Sequence, residues 1–255
     1  MRAARAILGT VFALAMVVPA WAQQPGSLVE IHINRVKPGM TGQYETGRKK
    51  HMAWHKAQND AWSWYTWQVV TGQATGSYVV GTFGHDWKDL DARDKFNQAD
   101  GADAQANMGS SLAGEEESYY IYRGDLSLAP QSPTPAPLIS VTHFMLNPDG
   151  ANDFVAGVKK VNEAFKKTNE PSSGASRWYQ LASGGESPHF VLVGDRASWA
   201  SFQSPSDKTL DAVMEEAYGK EQGAAIMSSI RKAIRSIYTE ALQYRPDLSY
   251  VAASK

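Results

Sequence analysis

Ser27-Leu-Val-Glu-Ile-His-Ile-Asn-Arg-Val-Lys-Pro38 and Pro137-Leu-Ile-Ser-Val-Thr-His-Phe-Met-Leu-Asn-Pro148 are the two stretches that decide the fold. Each alternates along its length with the period of a strand. Each ends in proline and is followed by a helical pattern, at an offset of 110 positions. Further on, Trp67-Gln-Val-Val-Thr-Gly72 matches Tyr179-Gln-Leu-Ala-Ser-Gly184, Tyr78-Val-Val80 matches Phe190-Val-Leu192, and Trp87 matches Trp199, all offset by 112. Landmarks repeated in one order mark a unit written twice.

Each copy reads strand, helix, strand, strand, helix, strand. In the first, strands are expected at 28–36, 61–70, 77–83 and 117–126. Helices are expected at 39–58 and 87–112, the second weak, rich in Ala and Asp and broken by Gly101 and Gly109. The last helix of the second copy is expected to run from about Asp207 to Ile234. This order is the ferredoxin-like unit, an α+β sheet with helices on one face only. The other face needs a cover, and the second copy supplies it. The expected fold is therefore α+β: tandem ferredoxin-like β-α-β-β-α-β units forming a pseudo-dimeric α/β barrel. The first unit is expected over 27–128 and the second over 138–249, joined by a linker at 129–137 that holds four prolines.

Residues 1–22 carry a different signal. Arg2 and Arg5 precede an apolar run from Ile7 to Val18, and Ala20-Trp21-Ala22 is a small-residue cleavage site. This is the pattern of a secretory signal peptide, and the apolar run is too short for a spanning helix. A periplasmic or secreted bacterial protein is expected, with no membrane contact after cleavage before Gln23. The 255 residues contain no cysteine, so neither a disulfide nor a thiol nucleophile is available. The net charge is −1 and no basic run appears, which argues against a nucleic-acid partner. A monomer is expected, because a tandem pair covers its own sheets.

The repeat allows one copy to be read against the other. Tyr44, His51 and His55 on the first helix correspond to Phe154, Val161 and Phe165. His51 and His55 lie one turn apart with Trp54 beside them, a spacing that suits either a metal or acid–base work. No third ligand stands at a diagnostic spacing, so no metal and no cofactor are assigned. The bland alternative is a pair of histidines hydrogen-bonded at the edge of a core. On the first strand, Glu30, His32 and Asn34 share a face where the second copy has Ser140, Thr142 and Phe144. That polar row is either a site or a hydrated seam between two sheets. Trp64 and Trp67, in the aromatic second strand with Trp62 and Tyr65, either fill the core or wall a flat ligand.

The strand–Lys37-Pro38-Gly39–helix opening, the aromatic second strand and the return strand ending before Trp87 resemble the dimeric α/β-barrel superfamily. The NIPSNAP-like and antibiotic-biosynthesis-monooxygenase-like branches are the most similar. The resemblance covers nearly all of the chain after residue 22, once per copy, as a pattern of elements more than a signature. It implies a barrel between two sheets and ligand pockets between helices and sheet. Its members include cofactor-free oxygenases, haem-dependent enzymes and lactone isomerases, so fold alone does not give the chemistry. In some branches an asparagine on the first strand is functional, and Asn34 is the nearest match. The expectation is an exported protein that binds a small apolar or aromatic molecule in the first unit. It would act as a cofactor-independent oxygenase or isomerase, with His51, His55, His32 and Asn34 as catalytic candidates. Glu30, Tyr44, Trp54, Trp64 and Trp67 are the ligand-binding candidates. A non-catalytic binding or assembly module, or a haem-binding protein, are the alternatives.

Overall fold

The computed structural model describes residues 27–129, 135–171 and 175–253. The expected signal peptide and the middle of the expected linker lie outside these residues. The first unit runs β1 (Leu28–Val36), α1 (Thr41–Ala57), β2 (Tyr65–Thr71), β3 (Tyr78–His85), α2 (Trp87–Met108) and β4 (Leu112–Tyr122). The second runs β5 (Leu138–Leu146), α3 (Ala151–Thr168), β6 (Ser176–Ser183), β7 (His189–Arg196), α4 (Leu210–Tyr218), α5 (Lys220–Ala233) and β8 (Ile234–Tyr244).

All eight strands close into one antiparallel barrel in the order β1-β3-β2-β8-β5-β7-β6-β4. Each unit contributes four neighbouring strands. The units join edge to edge, at β2 with β8 and at β4 with β6, so no sheet edge is left unpaired. Period-two alternation then assigns the faces. Val29, Ile31 and Ile33 of β1, with Tyr65 and Trp67 of β2, point into the barrel, where they meet Val141, Tyr179, Val191 and Leu242. The barrel core is thus apolar and shared by both units. A cavity of about 160 Å³ remains within it.

The helix-side faces of the two units differ. In the second unit Phe144, Phe154, Trp178 and Phe190 pack with Val158, Met214, Met227 and Ile230 into one continuous core. In the first unit the equivalent space holds two small clusters. One contains Tyr44, Tyr78, Met108 and Leu248; the other contains Met52, Trp62, Trp64 and Val80. A cavity of about 490 Å³ opens between helices and sheet in this unit. The C-terminal segment returns to it. Leu248 is fully buried there and Tyr250 bridges Trp64, with its hydroxyl donating to the Asp60 carbonyl at 2.8 Å.

Glycine sets the closeness of the helix pairs in both units. A Cβ on Gly47 of α1 would stand 2.2 Å from the Asn107 carbonyl oxygen, and one on Gly157 of α3 would stand 2.1 Å from Ile230 Cγ1.

Four element expectations need correction. β2 starts at Tyr65 and not at 61, because Asp60 holds the Trp62 backbone N–H at 3.0 Å and turns the chain there. α2 runs unbroken through Gly101, since one glycine inside a helix costs only about 1 kcal/mol relative to alanine and does not by itself break it. β4 begins at Leu112 and pairs with the whole of β1, which keeps it in the barrel five residues before the expected start. The last helix is two, α4 and α5, separated at Gly219 with φ +81°.

Candidate functional site

Register places the polar row. β4 runs antiparallel to β1 with Asn34 opposite Glu115, His32 opposite Glu117 and Glu30 opposite Tyr119. All six side chains face the helices and line the 490 Å³ cavity. The reading of a hydrated seam between two sheets is therefore overturned, since the inward face carries Val29, Ile31 and Ile33. The cavity is closed on its other side by Arg48, His51 and His55 of α1 and by Asn97, Asp100 and Gln105 of α2.

His32 is held between carboxylates. Its Nε2 lies 2.8 Å from Glu30 Oε1 and its Nδ1 3.2 Å from Glu115 Oε1. Burial disfavours the charged ring, but the bonds to Glu115 and Glu30 and the charges of Glu30 and Glu117 outweigh it, raising the pKa to about 9. His32 is an imidazolium at neutral pH. Arg48 is a second cation in the cavity, 3% exposed, with Nε donating to the Leu248 carbonyl and Nη2 to Thr66 Oγ1 at 3.2 Å each. Asn34 donates from Nδ2 to the Tyr44 hydroxyl at 3.0 Å, and its buried Oδ1 accepts no hydrogen bond among the described residues.

His51 and His55 converge at the other end. Their Nε2 atoms are 3.2 Å apart. Asp100 Oδ1 lies 3.2 Å from the first and 3.3 Å from the second. The outer nitrogens are both tied to acids: His51 Nδ1 to Asp103 Oδ1 at 2.8 Å and His55 Nδ1 to Asp60 Oδ2 at 2.8 Å. Asp60 is fully buried, and it also accepts from Arg93, Trp64 Nε1 and the Trp62 backbone. Burial works against its charge, yet those donors hold it well below the usual carboxylate range. Burial lowers the pKa of His55 despite the Asp60 bond.

The expected site residues thus divide. Glu30, His32, Asn34, His51, His55 and Trp64 line one cavity. Tyr44 lies beneath it, fully buried against Tyr78. Trp54 backs the histidines, stacked on His51 with ring centroids 5.9 Å apart. Trp67 does not belong with them: the alternation of β2 turns it into the barrel, where it packs on Phe83 and Tyr244. Sequence reasoning missed Asp60, Asp100, Asp103, Glu115 and Arg48. His143 Nδ1 and His189 Nε2 lie 3.0 Å apart on β5 and β7 of the second unit.

The cavity does not fit haem. The Nε2 atoms of His51 and His55 face each other and Asp100 at hydrogen-bond distance, which leaves neither ring aimed at an iron outside the trio. Glu30, Glu115 and Glu117 would also oppose propionates.

No family model matches the chain, and no curated protein matches it by sequence. Solved structures do match. An anthrone oxidase-like protein superposes with a TM-score of 0.58 at 13% identity, covering 91% of this chain and 95% of its own. A candidate monooxygenase from Lactobacillus acidophilus NCFM gives 0.53 at 8% identity, with 88% and 96% covered. A chlorite dismutase from Candidatus Nitrospira defluvii gives 0.50 at 8% identity, with 88% and 93% covered. Likeness at such identities shows the fold alone. The architecture is the tandem ferredoxin-like, pseudo-dimeric α/β barrel that the repeat predicts.

Proposed function

We propose that the protein binds a small enolisable molecule in the helix-side cavity of the first unit and oxygenates or isomerises it. The observation that carries this reading is the asymmetry of the two units. Asn34, Arg48 and His51 line an acid- and histidine-rich cavity in one unit, and their counterparts Phe144, Val158 and Val161 belong to a continuous apolar core in the other. Hollowing a core costs stability, so a cavity where the twin is packed points to a use.

The lining describes the ligand. Arg48 and the His32 imidazolium suit an anionic or enolic oxygen, and Asn34 Oδ1 offers a buried acceptor to a ligand hydroxyl. Trp64 supplies an aromatic wall. The ligand is therefore more polar than a purely apolar one. The common first step is loss of a proton from a carbon conjugated with that C–O group, taken up at the His51–His55–Asp100 end of the cavity. Return of the proton to another carbon completes an isomerisation. Reaction of the carbanion with dioxygen, followed by loss of water, converts a CH₂ group to C=O. The fold of the anthrone oxidase-like protein supports the second course. We take the reaction to occur outside the cytoplasm, on the strength of Arg2 to Ala22.

Oxygen uptake with anthrone and smaller enolisable ketones tests this. Uptake should be abolished when His32, His51 and His55 are all replaced by Ala. Uptake by the triple variant equal to that of the parent would remove the histidines from the reaction.

A further inference from the structure

We propose that His51, His55 and Asp100 form a mononuclear centre for a divalent transition-metal ion. The proposal rests on reading this cavity as the reaction site and changes one part of it: the trio polarises the ligand's oxygen, and the carbon's proton passes instead to one of the other carboxylates lining the cavity, Glu30, Glu115 or Glu117.

The protonation pattern comes first. His51 Nδ1 and His55 Nδ1 each face a carboxylate oxygen at 2.8 Å, and an ionised carboxylate only accepts. Both rings therefore carry hydrogen on Nδ1. Both Nε2 atoms then present lone pairs to each other and to Asp100 Oδ1, in a triangle with sides of 3.2, 3.2 and 3.3 Å. Three lone pairs at that separation repel one another, and a positive centre between them relieves the repulsion. A proton on one nitrogen can serve at most the two edges that meet there, whereas a metal ion serves all three corners.

The dimensions agree. With metal–ligand arms of about 2.1 Å, cis donors lie about 3.0 Å apart in an octahedron and about 3.4 Å apart in a tetrahedron. The observed triangle falls between. Two histidines and one carboxylate on one side leave the opposite positions open. All three donors line the cavity, so those positions face the space where the ligand would lie.

The surroundings have the form of an outer shell. Asp103 and Asp60 orient the two rings through Nδ1, as carboxylates do behind metal-bound imidazoles. Asn107 donates to Asp103 Oδ1 at 3.1 Å, and Arg93 and Trp64 hold Asp60. Glu30, Asp100, Glu115 and Glu117 outnumber the Arg48 and His32 cations around the cavity, a charge excess that a divalent ion would balance. The other cluster, Glu30, His32 and Glu117, offers one imidazole to two carboxylates and is more open to solvent, with Glu117 exposed.

The test is titration of tag-free, chelator-treated full chain with Co²⁺, read by calorimetry and by the visible bands of nitrogen- and oxygen-ligated cobalt. The expected result is one ion per chain. Affinity should fall by more than about 100-fold in His51→Gln and in Asp100→Asn, and by about 10- to 100-fold in the orienting variant Asp103→Asn. His32→Gln, which removes a cation from the cavity and no proposed ligand, should not weaken it. Circular dichroism checks that each variant folds. Lack of a stoichiometric site in the folded parent would overturn the proposal, and so would equal affinity in folded Asp100→Asn. Oxygen uptake that survives complete metal removal would overturn it too, while leaving the reading of the cavity intact. Co²⁺ binding without turnover of any ketone would sustain the metal centre and count against the proposed reaction.

Discussion

Asn34 Nδ2 donates to the hydroxyl of Tyr44 at 3.0 Å, and the residues in the same places of the second unit, Phe144 and Phe154, meet instead through their rings at 5.3 Å. One buried polar pair has been exchanged for one aromatic pair. Removing a single partner leaves the other unsatisfied in a buried place. Asn34→Leu or Tyr44→Phe alone should each destabilise by about 1–3 kcal/mol. The double variant should cost less than the sum of the two, read as a coupling energy from urea unfolding. Strict additivity would mean that the bond contributes nothing.

His32 predicts a pH dependence. Its folded pKa of about 9 lies above the usual 6.5, so it takes up a proton on folding at neutral pH. The stability it contributes is fully present below about pH 6.5 and is lost as pH rises through about 9. Glu30, Glu115 and Glu117 are the charged groups facing it. The unfolding midpoint of His32→Gln should lie below that of the parent near neutral pH, and the gap should narrow above about pH 9. A gap that stays constant with pH would locate the effect in packing.

Some of this was readable in the sequence and some was not. The alternation in Leu28–Val36 and Leu138–Leu146 was enough to set out a doubled α+β unit, because both strands have one apolar face that must be buried. The contrast of His51 with Val161 pointed to the right helix. The acids on α2 were missed for a physical reason. A helix with no apolar stripe looks unstable when read alone, and α2 was expected to break at Gly101. Its polarity reflects what it covers: Asp100 and Asp103 face histidines, not a core. The lack of an apolar face on a helix opposite His51 and His55 was itself the signal. Trp67 went astray because an aromatic strand contributes to both faces, and a one-residue step decides which.

The two glycines at the helix contacts should respond differently to alanine. At Gly47 the obstacle is the backbone carbonyl of Asn107, which cannot move without α2. At Gly157 it is the side chain of Ile230, which can rotate. Gly47→Ala should cost about 1–3 kcal/mol and Gly157→Ala distinctly less, by thermal or urea unfolding. The reverse order would contradict the packing described.

Arg93 makes a fourth case. Its guanidinium forks onto the fully buried Asp60 and lies over the rings of Trp62 and Phe96 at 4.2 and 4.3 Å. Arg93→Met should destabilise by about 3–5 kcal/mol, because the buried carboxylate loses its main counter-ion. Arg93→Lys should recover only part of that, since an ammonium cannot fork. Equal stability of the Met variant and the parent would show that His55 and the tryptophans suffice to hold Asp60.

A barrel closed by two units of one chain escapes a constraint that binds a symmetric dimer. In a homodimer every substitution appears twice, so a hollow opened in one unit opens in both. Here the second unit can stay solid with Phe144, Phe154 and Phe190 while the first carries the polar chamber. The shared barrel core lets the firm half brace the hollow one. Covalent linkage also keeps that brace in place at any dilution, so the chamber's integrity should not depend on protein concentration.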